Sequence, residues 1–198
     1  EVGALLRAIE GYEGHPSTLA ALRLLPHVFV RPGELRYAEW KEFDLDNAVW
    51  TIPESKMKMR RVHKIPLSRQ ALEIIATLEH DASLSRFLFP SLRSASRPMS
   101  ENTINGALRR LGYAKDEMTG HGFRAMASTL LNEMGRWNPD AIERQLAHAE
   151  GNAVRRAYAR GEYMDERVQM MQFWSDELDR LRETREPVKL AVGERRWG

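Results

Sequence analysis

Two short runs, Ala48–Pro53 and Val62–Leu67, flank the basic stretch Lys56–Arg61. Both runs are rich in β-branched and apolar residues, so they read as two strands of a hairpin with a cationic tip. Nearly everything on either side has helical period. Before the hairpin, Val2, Leu5, Leu6 and Ile9 share one helical face, and Gly11 and Gly14 end that segment. Ser17 is a candidate N-cap for a second helix carrying Leu19, Leu22 and Leu25 and stopping near Pro26. Pro32 suits the first turn of a helix continuing to Trp40, which leaves Arg31 at the turn in front of it. After the hairpin, Ser68 caps a helix with Leu72, Ile75, Ala76 and Leu78 inward. Phe87–Pro90 is a short apolar element, followed by a Ser/Arg-rich loop at 91–100, expected to be mobile or ligand-facing. Further helices are expected from Ser100 to about Leu111, from His121 to about Gly135, from Asn138 to a break at Gly151-Asn152, over 153–160, and over 164–183. The pattern predicts a mainly α fold with one small antiparallel β-sheet (α+β), with residues 1–185 as one domain and 186–198 as a tail.

A length of 198 residues is enough for one domain with a sizeable core. The absence of cysteine excludes disulfides, thiolate catalysis and cysteine zinc sites, and fits a reducing cytoplasm. No run of 18 apolar residues occurs, so no membrane helix is expected. Glu1 in place of an initiator methionine suggests a piece of a longer chain. The net charge of +2 says little about partners, but its distribution says more. Residues 56–69 carry six Lys/Arg and no acid, and residues 82–115 carry six Lys/Arg and one acid, Glu101. A polarised surface of this kind suits a polyanion on one face.

Six residues in order carry the chemistry: Arg31, a hairpin lysine, His121, Arg124, His148 and Tyr158. Two guanidinium groups can grip the non-bridging oxygens of a phosphodiester and stabilise the added charge of a pentacoordinate transition state. Histidines titrate near neutrality and can hold a phosphate oxygen or move a proton. A cationic pocket favours the tyrosine phenolate, and a lysine can protonate a leaving oxygen. No acidic cluster suited to magnesium and no His/Cys cluster suited to zinc is visible, so the expectation is phosphoryl transfer without metal or other cofactor. Taken singly, each residue has an ordinary reading: Arg31 a capping arginine, His121 a helix-start histidine, His148 a core histidine. Tyr163 competes with Tyr158, and Lys56 with Lys58. His27, His63 and Lys64 receive no role.

The chain resembles the tyrosine recombinases, or phage integrases, over about residues 15–180. The resemblance rests on Phe29-Val30-Arg31-Pro32-Gly33-Glu34-Leu35, Lys58 with Val62-His63-Lys64-Ile65-Pro66-Leu67-Ser68, His121-Gly122-Phe123-Arg124, Leu146-Ala147-His148 and Ala157-Tyr158. Asn152-Ala153-Val154 and Met170-Met171-Gln172-Phe173-Trp174 are similar to the prophage and genomic-island integrases. The resemblance implies a tyrosine recombinase catalytic-domain fold, with Arg31 and Arg124 as the two arginines, His121 and His148 as pocket histidines, and Tyr158 as nucleophile. It makes Lys58 the general acid, lying eight residues before Pro66, and gives Glu34 the part of orienting Arg31. Gly122-Phe123 departs from the Asp-Leu common between the histidine and arginine, and the spacing from His148 to Tyr158 is ten rather than nine. Implied partners are double-stranded DNA, further copies in a homotetramer assembled on DNA through the C-terminal segment, and accessory DNA-bending proteins in a bacterial cytoplasm. Arg60, Arg61, Arg109 and Arg110 are expected phosphate contacts. The Met/Trp stripe of 164–181 reads as core, or by resemblance as a partner-binding face. The rivals are a non-catalytic DNA-binding module on this scaffold and a type IB topoisomerase-like enzyme.

Overall fold

Helix α2 (Pro16–Val28) is apolar on nearly every side, and its Ala20, Ala21, Leu22, Leu24, Leu25 and Val28 are all buried. A helix without a polar face must be surrounded, and α2 packs against α1 (Val2–Glu10), α4 (Arg69–Ala76), α5 (Thr103–Arg110), α6 (Gly122–Glu133) and α8 (Met164–Glu183). This is a computed structural model that describes residues 1–57, 60–79, 82–148 and 162–184. The tail at 186–198 and the helix expected over 153–160 lie outside the described residues.

Several helix boundaries differ from expectation: the helix expected from Pro32 to Trp40 ends at Arg36, with Trp40–Glu42 a separate 3-10 turn, the helix from Asn138 ends at Gln145, and both ends of α2 shift. The N-cap of α2 is His15, whose Nδ1 accepts from the Ser17 N–H, and Pro16 occupies the first turn. The helix also runs two residues past Pro26. Pro26 removes one N–H but leaves its own carbonyl, which accepts from Trp174 Nε1 at 2.8 Å. Phe29 packs edge-on against the same indole, so the last turn of α2 is held by α8.

The hairpin forms as its alternation predicts. Strand β2 (Val49–Ile52) pairs antiparallel with β3 (His63–Pro66) in the register Trp50 to Ile65 and Ile52 to His63. The core sits under Trp50, Ile52 and Ile65. A two-residue strand β1 (Phe43–Asp44) extends this sheet on the far side of β2. Where a loop is expected at 91–100, the chain instead forms most of a second antiparallel pair, β4 (Pro90–Ser91) and β5 (Ser94–Pro98). Met171, Trp174 and Leu178 of α8 are buried, so the Met/Trp stripe is core of this chain, while Val168 stays half exposed. Two short helices complete the frame: α3 (Pro32–Arg36) directly after Arg31, and α7 (Pro139–Gln145), capped by the Asn138 side chain on Asp140 N–H.

Candidate active site

Phe29 and Ala147 both lie in the left-handed region, with φ of 35° and 48°. Side chains other than glycine enter that region at a cost, and such strain collects where the fold must aim a group. At Phe29 the turn ends α2 and sends the chain extended into Arg31. The Phe29 carbonyl accepts from Arg124 Nη1 at 2.9 Å. Arg31 then begins α3, and Glu34 reaches back to it twice, accepting from the Arg31 backbone N–H at 2.8 Å and from Nη1 at 2.7 Å. Glu34 therefore orients the Arg31 guanidinium.

Ala147 ends α7. Its N–H bonds the Arg144 carbonyl and the His148 N–H bonds the Glu143 carbonyl, which together make a Schellman motif. The same two end residues meet through their side chains, since His148 Nδ1 lies 2.8 Å from Glu143 Oε2. A carboxylate only accepts, so Nδ1 carries the proton and donates, leaving Nε2 as the ring's second functional atom. The motif satisfies the carbonyls of residues 143 and 144. The next three carbonyls are each met by a side chain from elsewhere. Gln145 accepts from His63 Nε2 at 3.1 Å, Leu146 from Arg124 Nη2 at 2.6 Å, and Ala147 from Arg31 Nη2 at 3.2 Å. The negative end of α7 thus gathers both arginines beside His148. Each guanidinium commits two N–H groups to acceptors among the described residues, and the rest of its five donors remain for an anion. Burial, and then the charge of Arg31, lower the pKa of Arg124 from the usual arginine value; both features favour an anion between them.

His121 is the N-cap of α6, and the buried Arg124 lies on its first turn. The loop before His121 is fixed by α5. Asn105 Oδ1 accepts from the Gly120 N–H at 2.9 Å, and the Arg109 guanidinium donates to the Met118 carbonyl. Gly120 presses on α3, since a Cβ there would lie 2.8 Å from Pro32 Cγ. The loop before α6 and the start of α3 therefore meet, at the residues next in the chain to His121 and Arg31. Of the expected phosphate contacts, Arg109 is half-buried in this loop contact, Arg110 is exposed and donates to the Tyr12 hydroxyl, and Arg60 and Arg61 are exposed at the hairpin. Lys58 and Tyr158, and the Gly151-Asn152 break, lie outside the described residues.

Lys56 sits in a built cage. Its Nζ donates to the Tyr37 carbonyl and to Glu39 Oε1, each at 2.8 Å, and to Glu42. Both carboxylates belong to buried residues, and the Lys56 hydrogen bond holds the Glu39 pKa below its ordinary value. Tyr163 is the left-handed N-cap of α8, and its carbonyl accepts the Arg167 N–H.

Three residues escaped sequence reasoning: His63, Gln145 and Arg167. His63 is buried, and burial followed by the charge of Arg167 lowers its pKa to about 3. It is therefore a neutral donor to Gln145. The hairpin sequence signals no such role, because its partner is 82 residues away. Among the described residues, no group of three or more His, Asp or Glu is arranged to hold a metal ion, and no helix is long and apolar enough to cross a membrane.

The family model of the Phage integrase family matches residues 1–164. The integrase of Enterobacteria phage P4 is 45% identical over 188 residues, covering 88% of this chain and 43% of the phage protein. Prophage integrase IntS of Escherichia coli (strain K12) is 38% identical over 180 residues, covering 90% of this chain and 46% of the relative. The chain thus spans less than half the length of these relatives. Among solved structures, the integrase from mycobacterium phage Brujita superposes with a TM-score of 0.64 at 17% identity, over 92% of this chain and 62% of that one. That likeness is one of fold.

Proposed function

The chain belongs to the phage integrase family and has the tyrosine recombinase catalytic-domain fold, and from that premise we propose that it is the catalytic unit of a site-specific DNA recombinase that integrates or excises a mobile element. The observation that carries the proposal is the pairing of Arg31 and Arg124 on the adjacent carbonyls of Ala147 and Leu146, next to His148. Two fixed cations there suit one phosphodiester of double-stranded DNA. Both non-bridging oxygens are neutralised, and the charge that builds at phosphorus is met by groups that need no reorganisation.

In this reading the Tyr158 phenol gives its proton to one of the two site histidines and its oxygen attacks phosphorus. The bond to the 5′ oxygen breaks, and that oxygen takes a proton from Lys58. The products are a 3′-phosphotyrosyl link and a free 5′-hydroxyl. Attack by a partner strand's hydroxyl reverses the sequence and releases Tyr158, so the bond energy is conserved without ATP. The cage around Lys56 supports Lys58 as the acid, because two carboxylates already hold the Lys56 ammonium. The position of Tyr163 as a helix cap supports Tyr158 over it as nucleophile. Strand exchange within a homotetramer assembled on DNA through the C-terminal segment, accessory DNA-bending proteins and a bacterial cytoplasm complete the proposal.

The test is covalent capture. A pool of nicked duplexes with random sequence around the nick is incubated with the chain in EDTA, and adducts are selected. An adduct is expected from the parent and from Tyr163→Phe, and none from Tyr158→Phe. An adduct on Tyr158→Phe, or a requirement for magnesium, would overturn the mechanism. Salt-sensitive binding with no adduct would leave only a DNA-binding module, and relaxation of supercoiled DNA without strand exchange would indicate a topoisomerase.

A further inference from the structure

Arg167 is 1% exposed, yet no carboxylate lies within ion-pairing distance of it among the described residues. Its guanidinium is met by neutral acceptors. Nε and Nη2 both donate to Gln145 Oε1, at 3.0 and 2.7 Å, Nη1 donates to the Glu162 carbonyl at 3.2 Å, and Nη2 also donates to the Lys64 carbonyl. A buried cation without a counter-charge is expensive, and an apolar side chain of similar volume would cost less. Its place in the core calls for a role other than stability.

The three acceptors belong to three segments that matter separately. Lys64 lies on β3, the strand by which the chain returns from the basic hairpin tip. Gln145 is the last residue of α7, and the next two carbonyls hold Arg124 and Arg31. Glu162 lies four residues after Tyr158. Gln145 is itself fully buried and is gripped from both sides, by Arg167 on its side chain and by His63 on its backbone carbonyl. Its Nε2 is buried without a partner among the described residues, so the amide is oriented wholly by the two bonds that Arg167 makes to its oxygen.

We propose that Arg167, acting through Gln145 and with His63, is a positioning residue. It fixes the end of α7, and through the adjacent carbonyls the two arginines and His148, in register with the hairpin and with the chain that follows the nucleophile. This rests on the recombinase reading for its link to catalysis but not for its geometry.

Arg167→Met and Gln145→Leu each cut the device, and the double variant tests their coupling. Single-turnover adduct formation on the duplex captured by the parent should slow at least tenfold in each single variant. The double variant should be no slower than the worse single, and DNA affinity should stay within about threefold. Gln145→Glu presents the same oxygen to Arg167, removes the orphan amide and should restore the rate. Effects that multiply in the double variant, failure of Gln145→Glu to rescue, or a rate loss matched by an equal loss of DNA affinity would each overturn the proposal. A second measurement stands apart from DNA. In Arg167→Met, amide hydrogen exchange at Leu146, Ala147 and His148 should accelerate at least tenfold while the amides of α2 stay protected. Unchanged exchange at those three amides, or equal acceleration throughout, would sink the clamp. If the parent gives no adduct at all, the recombinase reading fails and the exchange result alone decides the clamp.

Discussion

Ala147 holds its left-handed conformation because five hydrogen bonds around the end of α7 require it, two within the turn and three from His63, Arg124 and Arg31. A methyl-bearing residue there is strained by about 1 kcal/mol relative to glycine. Ala147→Gly should therefore raise stability by up to about 0.6 kcal/mol, after the freer unfolded chain takes back about 0.4–1 kcal/mol, with adduct formation retained. Urea titration of the two proteins measures this, and a loss of stability would mean that the turn is not strained. Lys56 makes the opposite case. Removing its ammonium leaves Glu39 and Glu42 buried with no cation at Nζ's place, so Lys56→Met should cost about 2–4 kcal/mol. On the proposed mechanism Lys58→Met should slow strand cleavage, with a 5′-sulfur leaving group restoring the rate. Rescue by sulfur of Lys56→Met alone would move the acid to Lys56. Arg31, Arg124 and His148, which meet at the end of α7, were legible as residue types in order, because arginine and histidine carry their chemistry in their names. Of what positions them, Glu34 was legible through the resemblance. The rest was not: Arg31 and Arg124 also rest on the backbone carbonyls of residues 147, 29 and 146, which have no side-chain signature.

At the scale of elements, periodicity reveals what is amphipathic and hides what is not. The strands around the basic tip were visible because Val49–Ile52 and His63–Pro66 alternate toward a core. The β4–β5 pair was missed because Ser94–Pro98 has hardly any buried face; backbone pairing alone defines it. The last turn of α2 was missed because proline is a local stop signal, and here the contact that overrides it comes from Trp174, far along the chain. Arg167 looked like one more polar residue of α8, since its acceptors all lie outside that helix or at its start. Helix packing supplies a further test. A Cβ on Gly3 would lie 2.1 Å from the Leu181 carbonyl oxygen, where α1 crosses α8, and backbone cannot yield as a side chain can. Gly106, inside α5, has open space around its own Cβ position. Gly3→Ala should lose about 1–3 kcal/mol through overpacking, and Gly106→Ala should gain about 0.5–1 kcal/mol from helix propensity. Thermal melting of the two variants gives the signs, and equal signs would refute the crossing.

For the molecule as a whole, two buried histidines in separate regions set how stability responds to acid. His27 on α2 donates through Nδ1 to Ser175 Oγ at 2.9 Å, and Ser175 in turn donates its hydroxyl to Ser68 Oγ at 2.7 Å. Burial lowers its pKa to about 4, with the Asp179 charge opposing and the Arg182 charge assisting. His63 is lowered to about 3, by burial first and then by Arg167, with the bond to Gln145 opposing. In the unfolded chain both titrate near 6.5. Above that pH the folded and unfolded states bind the same number of protons at these sites, and their contribution to stability is fully present. Below it the unfolded chain takes up two protons that the native chain refuses, so stability falls as the pH drops, until each ring is finally protonated in place near 4 and 3. Each histidine contributes a slope of roughly 1.4 kcal/mol per pH unit within its window. Urea midpoints measured from pH 7.5 to pH 4.5 should be level above pH 7 and fall steeply below pH 6. His63→Gln keeps a donor toward Gln145 and removes the proton equilibrium, so it should roughly halve the slope. A parent whose stability is flat from pH 7 to pH 5 would show that neither histidine is buried neutral, and with that the hold of His63 on the end of α7 would fail as well.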